Sequence, residues 1–264
     1  MEIGNISFKN KCVLVTGSNS GMGAEMSIAF ARLGAKVVIQ GRNDATIEEI
    51  AIKCQAASPN KFPPLKVKAD VSKDEDCKRL IDTVIKAYGQ LDILVNNAGV
   101  MHISPIDDPE LMKKFDEQMA VNVRAPLLLS SLCAPHLAKT KGNIVNISSG
   151  IGMKAFPKAV GYSTSKWAIM MITECLALEL GENLVRVNTV NPGYVENPSW
   201  HQRAGYGDAH GPVLKKANPM KKNAEILDVV NAVLFIASDA ATHINGVALP
   251  VDGGMTKTVK GTGK

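Results

Sequence analysis

Short β-branched runs alternate with amphipathic helical stretches almost from end to end, and this pattern restricts the possible folds more than any other feature. Strand-like runs cover Cys12 to Val15, Lys36 to Gln40, Leu65 to Ala69, Leu91 to Val95, Ile144 to Ile147, Val185 to Val190 and residues 247–249. Between the first two, Met22, Met26, Ala29 and Leu33 recur at helical spacing, and Gly34 closes that helix. Asp44 is placed to cap a helix to Ala57, and Ser72 with Glu75 fits a capping box for a helix to Tyr88. Further helices are expected from Glu110 to about Leu137, bent at Pro126, through Tyr162 to about Leu180, and from Ala224 to Ser238. Strands that are apolar on both faces need cover on both, which parallel strands with crossover helices provide. The expectation is an α/β fold: one doubly wound parallel sheet with helices on both faces, in a single domain over 1–264.

The 264 residues are 45% hydrophobic and 21% charged, an ordinary balance for a chain that buries its own core. The formal net charge is +5, and Lys257, Lys260 and Lys264 belong to a polar tail at 255–264. The other cations are scattered, which argues against a nucleic-acid or membrane partner. The 5 cysteines and 5 histidines are dispersed without metal or redox spacing, so no metal site and a reduced, cytoplasmic setting are expected. The start has no apolar signal region, and no run reaches the ~18 apolar residues of a membrane span. The segment 197–223 is rich in Gly, Pro and polar residues and reads as a substrate lid or as a plain surface excursion.

Between the first strand and its helix lies Thr16-Gly17-Ser18-Asn19-Ser20-Gly21-Met22-Gly23. Glycines at this place allow a tight turn and let backbone N–H groups approach a pyrophosphate at a helix N-terminus. The position, not the glycine spacing alone, makes this a dinucleotide-binding turn of the Rossmann type. The end of the second strand should meet the adenosine ribose. It reads Gln40-Gly41-Arg42-Asn43, with no acid before Asp44. An acid would serve a free 2′-hydroxyl, whereas Arg42 can pair with a 2′-phosphate. This favours NADP(H), with NAD(H) as the alternative and a solvent-facing arginine as the bland one.

Tyr162 and Lys166 stand four residues apart, on one face of a helix. A fixed ammonium favours the phenolate and lowers a tyrosine pKa, which would suit acid/base work near neutrality.

Together these elements resemble the short-chain dehydrogenase/reductase family, in its class of about 250 residues. The resemblance rests on Thr16-Gly17-x-x-x-Gly21-x-Gly23, Asp70-Val71, Asn96-Asn97-Ala98-Gly99, Asn122, Ser148-Ser149, Tyr162-x-x-x-Lys166 and Pro192-Gly193, which occur in the family's order from about Lys11 to Gly254. It implies a catalytic set of Asn122, Ser149, Tyr162 and Lys166, with Ser148 the less favoured serine. It implies cofactor contacts from Gly17, Ser18, Ser20, Gly21, Met22, Gly23 and Arg42, then Asp70 and Val71 at the adenine. Asn97, Ala98, Gly99, Tyr162, Lys166, Pro192, Gly193 and Val195 would line the rest of the cofactor. Tyr162 would give a proton to a carbonyl oxygen that Ser149 also bonds. Asn197 stands where the family often has threonine, which leaves a contact to the cofactor carboxamide open.

Met153, Phe156, Tyr194, Trp200 and Tyr206 are candidates for the substrate pocket, or for simple loop anchors. With Ser149 they suggest an apolar carbonyl or secondary alcohol as the small-molecule substrate. A 3-oxoacyl-thioester (acyl-carrier-protein) reductase is the alternative, and a non-catalytic dinucleotide-binding scaffold is the alternative of another class. The resemblance further implies a homotetramer or homodimer built through the long helices at 110–137 and 161–180 and through the C-terminal strand.

Overall fold

The apolar runs become seven strands: β1 Cys12–Val15, β2 Lys36–Gly41, β3 Leu65–Lys68, β4 Ile93–Asn96, β5 Asn143–Ile147, β6 Arg186–Pro192 and β7 Ala248–Val251. The structure is a computed structural model, and it describes residues 6–196 and 210–258. All seven strands are parallel, in the order β3-β2-β1-β4-β5-β6-β7. Register is continuous across the centre, where Val13 lies beside Val37 on one side and Ile93 on the other.

Alternation along each strand sorts its side chains onto two faces. Val13, Val15, Ile39 and Val145 pack in one core with helices α1 (Gly21–Arg32) and α2 (Asp44–Ala57) and with α9 (Ile226–Ala237). Leu14, Val38, Leu94 and Ile144 pack on the other face under α3 (Asp74–Tyr88), α5 (Ala125–Thr140) and α7 (Val160–Gly181). Each fully buried aliphatic side chain contributes roughly 1.5–3 kcal/mol, so the two layers supply the main driving force. The remaining helices are α4 (Leu111–Met119), the single turn α6 (Gly150–Met153) and α8 (His210–Ala217).

Several local expectations change. Asn43, not Asp44, caps α2, because its side chain accepts the Thr46 N–H. Ser72 forms no capping box, since its hydroxyl donates to Asp70 Oδ1 and Lys73 takes the cap position. The long helix at 110–137 is interrupted by a π turn at Ala120–Arg124, and Pro126 is accommodated in the first turn of α5. Of the expected lid, residues 210–217 form α8, while 197–209, with Asn197, Trp200 and Tyr206, lie outside the described residues.

β1 and β4 are neighbours although the chain reaches β2 and β3 between them. This reversal of winding opens a crevice at the carboxyl ends of the central strands.

Candidate active site

A cleft of about 990 Å³ follows that carboxyl edge, bordered by Gly17, Arg42 and Asp70 on the β1–β3 side and by Tyr194, Leu214 and Thr256 on the β6–β7 side. Its glycine turn is held by sequence-distant partners. Gly17 N donates to Gln40 Oε1 at 2.8 Å, and Gln40 Nε2 donates to Ala69 O at 2.7 Å. Asn97 Nδ2 donates to Thr16 O at 2.8 Å, and Thr16 Oγ1 accepts from Asn97 N and Ala98 N at 3.0 and 2.9 Å. Gly17 and Gly21 have φ of +64° and +55°, and a Cβ on Gly23 would lie 2.4 Å from Gly17 O. Ser20 caps α1 without a side-chain hydrogen bond, and no acid stands in the first turn. The leading N–H groups of α1 are therefore open to an anion, and the residues fit a dinucleotide pyrophosphate.

Ser20, Gly21, Met22, Gly23, Val71, Asn97, Ala98 and Gly99 all border the cleft, as do Pro192, Gly193 and Val195. Ser18 does not. Its side chain is fully buried, with its hydroxyl accepting the Gln40 N–H at 2.8 Å, because the turn needs that bond to hold β2. Arg42 is exposed at the rim and makes no ion pair among the described residues. The nearby Asp44 is engaged by Lys68 at 2.6 Å. Asp70 Oδ1 accepts from Ser72 N and Oγ at 3.0 and 2.8 Å.

Tyr162, Lys166, Ser149 and Asn122 are all buried. Ser149 caps α6 by accepting the Ile151 N–H at 3.2 Å, and its hydroxyl is near enough to the Tyr162 phenol to favour the phenolate. Lys166 Nζ donates to Ile147 O at 2.8 Å and lies 5.7 Å from the centre of the Tyr162 ring. Ser148 is committed elsewhere, donating to Lys166 O at 2.7 Å, which ties β5 to α7 and leaves Ser149 as the serine facing the phenol. The π turn carries Asn122, a feature common where a helix adjusts to a site. Asn122 Oδ1 accepts the Val100 N–H at 2.8 Å, and its Nδ2 donates to Val100 O and Ser165 Oγ at 2.8 and 3.0 Å. A Cβ on Gly99 would meet Asn122 Oδ1 at 3.4 Å and Lys166 Nζ at 3.6 Å, so both groups crowd the same glycine.

The electrostatics correct the expectation of an acidified phenol. Burial pushes Tyr162 up to about 12, opposed by the Ser149 hydroxyl. Burial also pulls Lys166 down to about 8. Neither group counts among the causes of the other's shift, so burial sets both directions.

Beside Tyr162, an apolar wall is formed by Met101, Ile103, Ile151, Phe156, Tyr194 and Leu214. Met153 does not border the cleft, although it belongs to the same helical turn as Ile151. Sequence reasoning missed Ile151, Lys154, Leu214 and Thr256 as cleft residues. Ile151 had a signal, two places after Ser149; the others follow from tertiary packing alone. Thr256 Oγ1 is buried in the cleft wall without a partner among the described residues. No cluster of metal-ligating side chains occurs among the described residues.

A glycine-cradled crevice at a winding reversal, with a buried Tyr–Ser–Lys group beside it, defines a dinucleotide-binding α/β oxidoreductase. Comparison with known proteins gives the family. The family model described as "Enoyl-(Acyl carrier protein) reductase" matches residues 17–256. L-xylulose reductase of Caenorhabditis elegans is 35% identical over 254 residues, covering 96% of this chain and 98% of that protein. A 7α-hydroxysteroid dehydrogenase complexed with NADH and 7-oxo glycochenodeoxycholic acid superposes with a TM-score of 0.88 at 29% identity, covering 95% of this chain and 96% of that one. A gluconate 5-dehydrogenase from Burkholderia cenocepacia, in complex with NADP and tartrate, gives 0.88 at 28% identity, covering 97% and 98%. The chain belongs to the short-chain dehydrogenase/reductase family, whose nicotinamide-dependent members act on alcohols and carbonyls.

Proposed function

We propose that this enzyme uses NADP(H) to interconvert a carbonyl compound and its secondary alcohol, with Tyr162 moving the proton. The observation that carries this reading is the burial of Ser149, Tyr162 and Lys166 together on the cleft, beside an apolar wall. The nicotinamide, when bound, supplies or accepts the hydride. In reduction, Tyr162 gives its proton to the substrate oxygen, and the raised phenol pKa keeps that proton available at neutral pH. Ser149 donates a hydrogen bond to the same oxygen as negative charge grows there. Lys166 stabilises the phenolate left behind, and Asn122 positions the β4 exit and α7 through Val100 and Ser165. In oxidation, Tyr162 is the base.

Arg42 supports the NADP(H) preference, because the described β2 end presents no free carboxylate and Gln40 is spent on the turn. Relatives acting on a sugar ketone, a sugar acid and an oxo steroid show how widely substrate varies on this scaffold. The reading also includes a cytoplasmic homotetramer or homodimer; no helix among the described residues is long and apolar enough to cross a membrane.

The test is a carbonyl panel assayed with NADPH and NADH in parallel. Carbonyl-dependent NADPH oxidation, faster than with NADH at equal concentration, is expected. Cofactor binding without turnover across the panel would point to a scaffold instead. Reduction of an acetoacetyl thioester but of no free ketone would point to the acyl-thioester reductase.

A further inference from the structure

Lys154 is the C-cap of α6 and borders the cleft on the side of the apolar wall. It is part-buried, and its ammonium donates to Thr258 O at 2.6 Å and Thr258 Oγ1 at 2.9 Å. Both acceptors are neutral. An ammonium has three donors, so one remains. Among the described residues no carboxylate pairs with it, and the acids in reach of the cleft are spent. Asp252 accepts from Gly254 N and Thr256 N at 2.9 and 2.7 Å, and Asp70 is held by Ser72. The imidazole of His102, on the same side, has Glu117 at 3.0 Å. A cation partly withdrawn from water beside apolar side chains is costly without a counter-charge.

We propose that Lys154 recognises an anionic group on the substrate, so that the enzyme acts on carbonyl or hydroxy compounds with an apolar body and a carboxylate-type end. This rests on the reductase reading above and narrows it. Ser149 and Lys154 cap opposite ends of α6, with its four residues between them. The reacting carbonyl and the anion are accordingly separated by several carbons, and the apolar wall takes what lies between. An anion arriving there replaces or adds to the Thr258 acceptors, forming a charge-assisted bond in a partly dry site.

The experiment compares medium-chain oxo acids with their methyl esters, assayed with NADPH on wild type, Lys154→Met and Lys154→Gln. Wild type is expected to prefer the acid by tenfold or more in kcat/KM, and the preference should shrink with added salt. In both variants the acid-to-ester ratio should fall to within threefold of one, with the KM for NADPH and the melting temperature unchanged. Equal turnover of acid and ester by wild type, or a preference that survives in the variants, would overturn the assignment. So would a defect confined to NADPH binding, which would give Lys154 to the cofactor. Turnover of neutral ketones with no acid preference would sink this inference and leave the reductase reading intact; no turnover of any carbonyl would sink the reading itself.

Discussion

At the residue scale the proposed chemistry depends on two buried groups whose proton affinities are shifted in opposite directions. Tyr162→Phe should cut turnover by about 10²–10⁴-fold, the usual span of general acid–base catalysis, while cofactor affinity by fluorescence titration stays near wild type. Arg42→Asp should raise the KM for NADPH at least tenfold and leave that for NADH little changed, because a charge-assisted bond to phosphate is worth roughly 1.5–3 kcal/mol. Steady-state kinetics with each cofactor checks this, and equal effects on both would reject the 2′-phosphate contact. Lys166 has a folded pKa of about 8 against an ordinary lysine value of 10.5, so between those values the unfolded chain binds more protons. Lys166 should therefore add stability as pH rises from 8 towards 10.5, while the buried thiols of Cys12, Cys54 and Cys77, whose folded pKa values are raised, take it away above pH 9, so Lys166→Met should make the alkaline fall in melting temperature steeper. Motif residues were legible at this scale because phosphate turns and Tyr–Lys pairs need fixed spacings. The direction of the phenol shift was not, since desolvation is set by what packs around Tyr162. Nor were the inward turn of Ser18 and the cleft position of Lys154, which depend on Gln40 and on Thr258 far along the chain.

At the scale of elements, the packing of α6 on α7 fixes the distance between serine and tyrosine. A Cβ on Gly152 would lie 2.8 Å from Lys166 C, against backbone that cannot yield cheaply. Gly152→Ala should lower kcat roughly tenfold or more with cofactor affinity preserved, since overpacking costs about 1–3 kcal/mol and here displaces Ser149. Single-turnover kinetics beside NADPH titration separates the two effects. Strand and helix order was legible because period-2 and period-3.6 apolar patterns are distinct. Helix starts were less so: Asn43 and Asp44 are both good caps, and Asn43 accepts the Thr46 N–H while Asp44 pairs with Lys68. The π turn at Ala120–Arg124 had no sequence mark, because one extra residue per turn is imposed by the bonds of Asn122 to Val100 and Ser165.

For the whole molecule, the doubly wound parallel sheet was legible because the strand runs are apolar on both faces and alternate with amphipathic helices, whereas the strand order came from the structure. Assembly is the open property at this scale. Trp167, Met171 and Leu178 on α7 are exposed, as are Met112 on α4 and Leu127 on α5. These are helices expected to make subunit contacts in the proposed oligomer, so Trp167→Glu together with Leu178→Glu should shift sedimentation from oligomer to smaller species. An unchanged sedimentation coefficient would place the interface elsewhere.

The winding reversal between β1 and β4 also divides the labour along the chain. Arg42, Asp70 and the glycine turn all precede Tyr88, whereas Ser149, Lys154, Tyr162 and the apolar wall all follow Ile93. On the proposed reading, coenzyme choice and substrate choice are thus written in two consecutive stretches of the gene product. A chimera joined within residues 89–92 should inherit the first from one parent and the second from the other, which makes that short connection a natural crossover point for recombination.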